Sequence, residues 1–200
     1  MRPVQEQRAL ITLATEQGFP VYLAQERVRQ GWALAVQGQI KEGISQIRQG
    51  LDAWRAMGME LWRPRWLALL VEAYGKGGQV EEGLTVLAEA LAAVNRSEER
   101  MYEAELWRLR GELTLQASAQ STESSAQEAE GYFRKALAIA RQQQAKSWEL
   151  RASTRLARLW QQQDKREDAR QLLAEIYGWF TEGFDTKDLQ EAKALIEKLA

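Results

Sequence analysis

The chain has 200 residues, 45% hydrophobic and 28% charged, the composition of a well-packed globular or repeat protein. Its 27 Lys and Arg against 28 Asp and Glu leave a net charge of −1 and a pI near 5.8, so no general attraction to nucleic acid or an anionic membrane is built in. Cys and His are both absent, which excludes disulfides, thiol chemistry, the commonest general base and the commonest metal ligand. In chain order, the apolar periodicity predicts helices over 4–17, 20–37, 39–57, 61–76, 79–95, 98–117, 125–144, 147–163, 165–178 and 187–199. No segment combines strict alternation with β-branched residues, so no strand is expected. Pro3, Pro20 and Pro64 each fall near a predicted helix start, where the missing N–H costs nothing. Gly18, Gly38 and Gly77-Gly78 fall at helix ends. The longest apolar run, Trp66 to Val71, is far short of the ~20 residues that span a bilayer. The start, Met-Arg-Pro-Val-Gln-Glu, carries no apolar signal core, so a cytoplasmic protein is expected.

One pattern recurs. Gly43, Gly83, Ala129 and Ala169 are each followed four residues later by a large apolar residue: Ile47, Leu87, Phe133 and Leu173. Three further on stand Gly50, Ala90, Ala136 and Ile176. These three positions share one helical face. The face returns at intervals of 40, 46 and 40 residues, the mark of stacked helix pairs. The widened interval coincides with the Ser-rich stretch 117–127, which reads as a solvated, mobile insertion. The first helices of the pairs carry their own stripe, with Trp66, Trp107 and Trp160 as core residues and Gly31 and Gly111 permitting close approach.

These features predict an all-α, right-handed superhelical solenoid of antiparallel helix pairs with a C-terminal capping helix. The expected divisions are 1–18 (the second helix of a truncated repeat, so that the chain is part of a longer array), the repeats 19–58, 59–97, 98–145 and 146–180, and the cap 181–200. In the cap, Thr186 is the expected N-cap, and Trp179, Phe180 and Phe184 are expected to fill the corner against the last pair.

Glu128-Ala129-Glu130-Gly131-Tyr132-Phe133-Arg134-Lys135-Ala136-Leu137 resembles the second helix of a tetratricopeptide repeat, although that unit spans ~34 residues. The longer period is similar to that of the maltose-regulator-like branch. Gly18-Phe19-Pro20, Gly31-Trp32-Ala33-Leu34-Ala35, Ala104 to Leu113, Glu149 to Ser153, Leu156 to Trp160 and Tyr177 to Thr186, in that order, resemble the C-terminal repeat region of large bacterial regulators. Such regulators carry a STAND-type NTPase, often with an adenylate/guanylate cyclase or DNA-binding domain. The resemblance implies a non-catalytic interaction or sensor module. Its partners would be a peptide or protein segment, or other domains of the parent. Self-association, as the parent's oligomerisation scaffold, is the alternative. No NTPase or cyclase motif occurs in the chain: Gly75-Lys76-Gly77-Gly78 lacks the strand, spacing and Ser/Thr of a phosphate loop.

No catalytic, cofactor or metal site is expected, and carboxylate pairs such as Glu81-Glu82 read as helix N-terminal residues. In tetratricopeptide arrays the concave groove is lined by the first helices. That register selects Val28, Trp32 and Val36; Arg65, Glu72 and Lys76; Glu105, Arg108 and Glu112; and Arg151, Arg158 and Gln162 as candidate groove residues. A late basic cluster (Arg141, Lys146, Arg151, Arg155, Arg158, Lys165, Arg166 and Arg170) is interleaved with acids, which disfavours nucleic-acid binding.

Overall fold

A computed structural model of the chain describes Leu13, residues 18–117 and residues 123–200. The predicted helix 4–17 (apart from Leu13) and positions 118–122 of the insertion lie outside the described residues. Two compact units divide the chain, Met1–Glu99 and Arg100–Ala200. All nine helices among the described residues are α, and no strand occurs among those residues.

The first unit contains α1 (Pro20–Val36), α2 (Ile40–Ala56), α3 (Arg63–Lys76) and α4 (Val80–Ser97). α1 packs on α2 and α3 on α4, while α2 and α3 join the pairs and the two first helices, α1 and α3, also touch. The predicted start of α3 shifts from 61 to 63: Trp62 is left-handed (φ 66°) and Pro64 sits in the first turn, so the apolar Leu61-Trp62 belongs to the turn. The close-approach face forms as the spacing predicts. Gly43, Ile47 and Gly50 are buried, as are Gly83, Leu87 and Ala90. A Cβ on Gly43 would lie 2.5 Å from Gly31 O, and one on Gly50 would lie 2.8 Å from Ala24 O. The pair α1/α2 is therefore antiparallel, its backbones meeting where neither helix carries a side chain.

The second unit contains α5 (Glu103–Ala117), α6 (Glu123–Gln142), α7 (Lys146–Gln162), α8 (Arg166–Tyr177) and α9 (Lys187–Leu199). α5/α6 and α7/α8 are its pairs, and α9 packs on α8 and α7. Ala129, Phe133 and Ala136 are at most 1% exposed, and Ala169 and Leu173 are fully buried. Residues 123–127 of the predicted insertion are helical, because α6 starts at Glu123 and buries Ser125. α5 starts at Glu103 rather than 98, after Glu98 takes a left-handed φ of 56°.

Backbone conformation repeats with the same period. Positive φ occurs at Gly18, Gly58, Glu98 and Gln144 in the turns entering each pair, and at Gly38, Gly78 and Asp164 inside pairs. These positions recur at the intervals of the buried face, so the repeat extends from side-chain packing to the turns.

The cap forms only in part as expected. Leu189, Ala192, Leu195 and Leu199 are buried with Leu150, Ala157, Ala169, Leu173 and Ile176, covering the face left by the last pair. Of Trp179, Phe180 and Phe184, only Phe180 packs against this cluster, beside Trp160 and Tyr177. Trp179 (58% exposed) and Phe184 (46%) stay outside: Trp179 lies edge-on to Phe180, and Phe184 leans on Tyr177. The Thr186 hydroxyl donates back to Gly183 O (2.7 Å), and its side chain caps no N–H of α9.

Candidate functional site

In the first unit, Trp32 of α1 is half-buried and its indole N–H donates to Glu72 of α3 at 2.9 Å. The same carboxylate faces Lys76 at 3.7 Å. Trp32 and Glu72 are 40 residues apart, one repeat, so equivalent positions on successive first helices meet. Arg65 lies over the rings of Trp62 and Trp66, with its guanidinium 5.4 and 4.8 Å from their centroids. Val36 is exposed, whereas Val28 is 1% exposed and touches the Gly50 backbone. Val28 is thus a core residue. Its β-branched side chain fills the space that Gly50 leaves open, which removes it from any groove.

The second unit carries a network of charges on the corresponding face. Arg108 of α5, 2% exposed, binds Glu105 through Nε and Nη2 at 2.7 and 2.8 Å and faces Glu112 at 2.6 Å. These partners sit three residues before and four after it, one helical turn each way. Arg151 of α7 reaches Glu105 at 2.9 Å, and Arg155 pairs with Glu112. α9 completes the row: Asp188 lies 3.9 Å from Arg151, and Glu191 lies 3.2 Å from Arg158. Gln162 is exposed at the end of α7.

Burial by itself would raise the Glu112 carboxyl, but the charges of Arg108, Arg155 and Arg151 hold it below its ordinary value. Burial likewise works against the charge on Arg108, and Glu105 with Glu112 more than restore it, pushing its pKa up. Arg155 is shifted down, first by burial and then by its crowding with Arg108 and Arg158 against the pull of Glu112. Arg108 and Glu105, at 2% and 4% exposure, lie beneath this surface rather than on it. Their burial is tolerated because each charge is paired.

The structure thus groups the candidates into two sets, one per unit. Trp32, Glu72 and Lys76 form the first, with Val36 exposed on the same helix and Arg65 seated on Trp62 and Trp66. Glu105, Arg108, Glu112, Arg151 and Arg158 form the second, joined by Arg155, Asp188 and Glu191, which the groove register did not select. The spacing Glu105-x-x-Arg108-x-x-x-Glu112 is the signal by which this network could have been found, since it describes a self-neutralised helix face.

The basic cluster is not a free cationic patch. Arg141 and Lys146 both bind Glu149, which burial would raise and these two cations hold low. Lys165 faces Glu130, Arg166 faces Asp164 and Arg170 binds Glu167. Each cation already has a carboxylate, which leaves little charge to neutralise phosphates. Among the described residues no group of Asp and Glu is arranged to hold a metal ion, and no helix is long and apolar enough to cross a membrane.

Neither a family model nor a curated protein matches the chain. Solved structures do. The chain is similar to the crystal structure of Podosopora anserina kinesin light chain "nearly identical TPR-like repeats", with a TM-score of 0.59 and 19% identity over 90% of this chain and 86% of that one. A second crystal structure of those repeats aligns with a TM-score of 0.56 and 18% identity over 90% of this chain and 93% of that one. The fold is that of TPR-like helical repeats.

Proposed function

We propose that the chain is a non-catalytic module that binds a peptide or protein segment along its first helices. In the wider setting implied by the sequence resemblance, it is the C-terminal regulatory part of a bacterial signalling NTPase, cyclase or transcriptional regulator. The observation that carries the reading is the pair of contacts one repeat apart, Trp32 with Glu72 and Glu105 with Arg151. They align the first helices of successive pairs within each unit, so that polar and aromatic groups follow one another along a single face. A repeat array binds extended segments through such a face, each pair adding a short stretch of surface. The two units offer different chemistry. Trp32, Val36 and Lys76 combine an aromatic, an apolar group and a cation, whereas the second unit presents charges already neutralised by one another.

Photo-crosslinking tests the reading. A photoreactive amino acid replaces Val36 or Gln162, both exposed on first helices, in the protein expressed in its source cells. Adducts to a segment of the parent polypeptide or of a second protein, absent when the probe replaces the exposed Gln49 of α2, are expected. Adducts to another copy of the chain alone, with a concentration-dependent dimer in light scattering, would make it an oligomerisation scaffold instead. An absence of adducts would remove the groove reading.

A further inference from the structure

Between the second helices of the first unit lies an opening that the first-helix surface does not explain. α2 and α4 each pack on α3 but not on each other, so α3 floors a gap between them. Arg48, Leu51, Asp52 and Arg55 stand at i, i+3, i+4 and i+7 on α2, a single helical face that borders the gap. Leu67 and Leu70 of α3 and Val86 of α4 complete an apolar wall with Leu51. The pocket so lined holds about 330 Å³, at the small end of the ~300–1,000 Å³ usual for ligand sites.

The charges here sort into a closed set and an open pair. Arg63 binds Glu89 and lies 3.8 Å from Glu60, and Arg55 lies 4.0 Å from the same Glu89, so two cations share two carboxylates. Arg48 and Asp52 are left. Both line the pocket, and among the described residues neither has an ion partner. One helical turn apart, they are placed to pair with each other. Arg48 is turned to Tyr74 instead: its Nε donates to Tyr74 Oη at 2.8 Å, and its guanidinium lies over the ring. Tyr74, 2% exposed, positions Arg48 without itself lining the pocket. Only Nε is engaged, which leaves both terminal nitrogens as donors. The repeat does not demand this open pair. The residues 86 positions after Arg48 and Asp52 are Arg134 and Ala138, and Arg134 is bound by Glu130.

We infer that this pocket binds a small aliphatic α-amino acid as its zwitterion. Arg48 takes the carboxylate through its terminal N–H groups, and Asp52 takes the ammonium group. The wall of Leu51, Leu67, Leu70 and Val86 takes the branched side chain. A ligand with both charges on one carbon answers two unpaired opposite charges one turn apart, whereas a simple acid or amine leaves one of them unanswered. The site is built by α2, α3 and α4 and does not depend on the groove reading.

The test uses the full chain, labelled with ¹⁵N. It follows the indole signals of Trp54, which lines this pocket, and of Trp160, beside Arg134 in the second unit. Leucine, N-acetyl-leucine (no ammonium), leucinamide (no carboxylate) and glycine (no apolar body) are titrated at pH 7. Leucine should saturate the Trp54 signal and leave Trp160 unmoved. Each of the other three should bind at least about tenfold more weakly. Arg48→Met should weaken leucine about tenfold without changing leucinamide, and Asp52→Asn should weaken leucine about tenfold without changing N-acetyl-leucine. This crosswise pattern assigns one charge of the ligand to each residue. Both residues are exposed, and the ligand-free signals of the two indoles report that each variant is folded. Leucinamide binding as tightly as leucine would make the site a pocket for a peptide N-terminus. That result, no Trp54 response to leucine, an equal response at Trp160, or leucine affinity that survives Arg48→Met would overturn the inference.

Discussion

Two Gly→Ala substitutions should move stability in opposite directions. Gly43 and Gly131 both lie inside helices, α2 and α6. Alanine is favoured over glycine in a helix interior by about 1 kcal/mol, partly through the unfolded chain, and this gain is common to both sites. At Gly131 nothing lies within 4 Å of the added Cβ, so Gly131→Ala should stabilise by roughly 0.5–1 kcal/mol. At Gly43 the Cβ would lie 2.5 Å from Gly31 O, 2.8 Å from Ala35 N and 2.9 Å from Ala35 Cβ. Two of these are backbone atoms of a helix, which cannot rotate away. Restoring ordinary contact requires α1 and α2 to separate by about 0.5–1 Å, a gap that forfeits a quarter to a half of each dispersion contact across it. Ala24, Val28, Ala35 and Ile47, all at most 3% exposed, lie along that interface. An overpacking cost near 3 kcal/mol, offset by the helix gain, leaves Gly43→Ala destabilised by about 2 kcal/mol.

Thermal melts followed by circular dichroism measure both. At about 2–4 °C per kcal/mol for a chain of this size, Gly43→Ala should melt roughly 4–8 °C lower and Gly131→Ala roughly 1–4 °C higher. A rise in melting temperature for Gly43→Ala comparable to that of Gly131→Ala would refute the close approach of α1 and α2, and with it the register of the repeat.

Arg108→Met removes the hub of the second unit's ion network; because Glu105 keeps Arg151 and Glu112 keeps Arg155, the cost should be about 3 kcal/mol in chemical denaturation, at the lower end for a broken buried pair. Glu112 has a folded pKa below its ordinary 4.5, so it contributes stability above that pH and loses it as the pH falls through the lower folded value. Glu112→Gln should therefore lower stability at pH 7 and flatten the decline below about pH 4.5; an unchanged acid limb would show that other carboxylates dominate it. Truncation at Thr181 removes α9 and exposes Leu173 and Ile176, so the shortened protein should aggregate and unfold less cooperatively; a monomer with an unchanged melt would show that α9 is no cap.

The helix pairs were legible in the sequence because close packing is a local constraint with a fixed period. Gly43, Gly83, Ala129 and Ala169 are small since a neighbouring helix occupies the space, and one face of one helix records this. Helix starts were less legible. Leu61-Trp62 looks like a continuation of an apolar stripe, and only the left-handed Trp62 before Pro64 displaces the start of α3. The aromatics of the C-terminal corner were misjudged for a related reason. Hydrophobicity says that Trp179, Phe180 and Phe184 gain by burial, but Trp160 and Tyr177 already pack against this cluster, and of the three only Phe180 joins them.

The candidate surface was legible as a face and less so in depth. Periodicity assigns Glu105, Arg108 and Glu112 to one stripe but cannot tell a solvated charge from a buried one. That depends on whether a neighbouring helix supplies the complementary charge. α7 and α9 do so from 33 to 46 residues away, through Glu105–Arg151, Glu112–Arg155 and Arg158–Glu191. The same reasoning separates the two faces of the protein. Where charges find carboxylates within their own unit, as along α5, α7 and α9, the surface is satisfied and an anionic partner gains little. On α2 and α6 the same rule decides: Arg134 and Arg141 are satisfied by Glu130 and Glu149, whereas among the described residues no carboxylate pairs with Arg48, so two basic pairs alike in sequence differ in the charge they leave over.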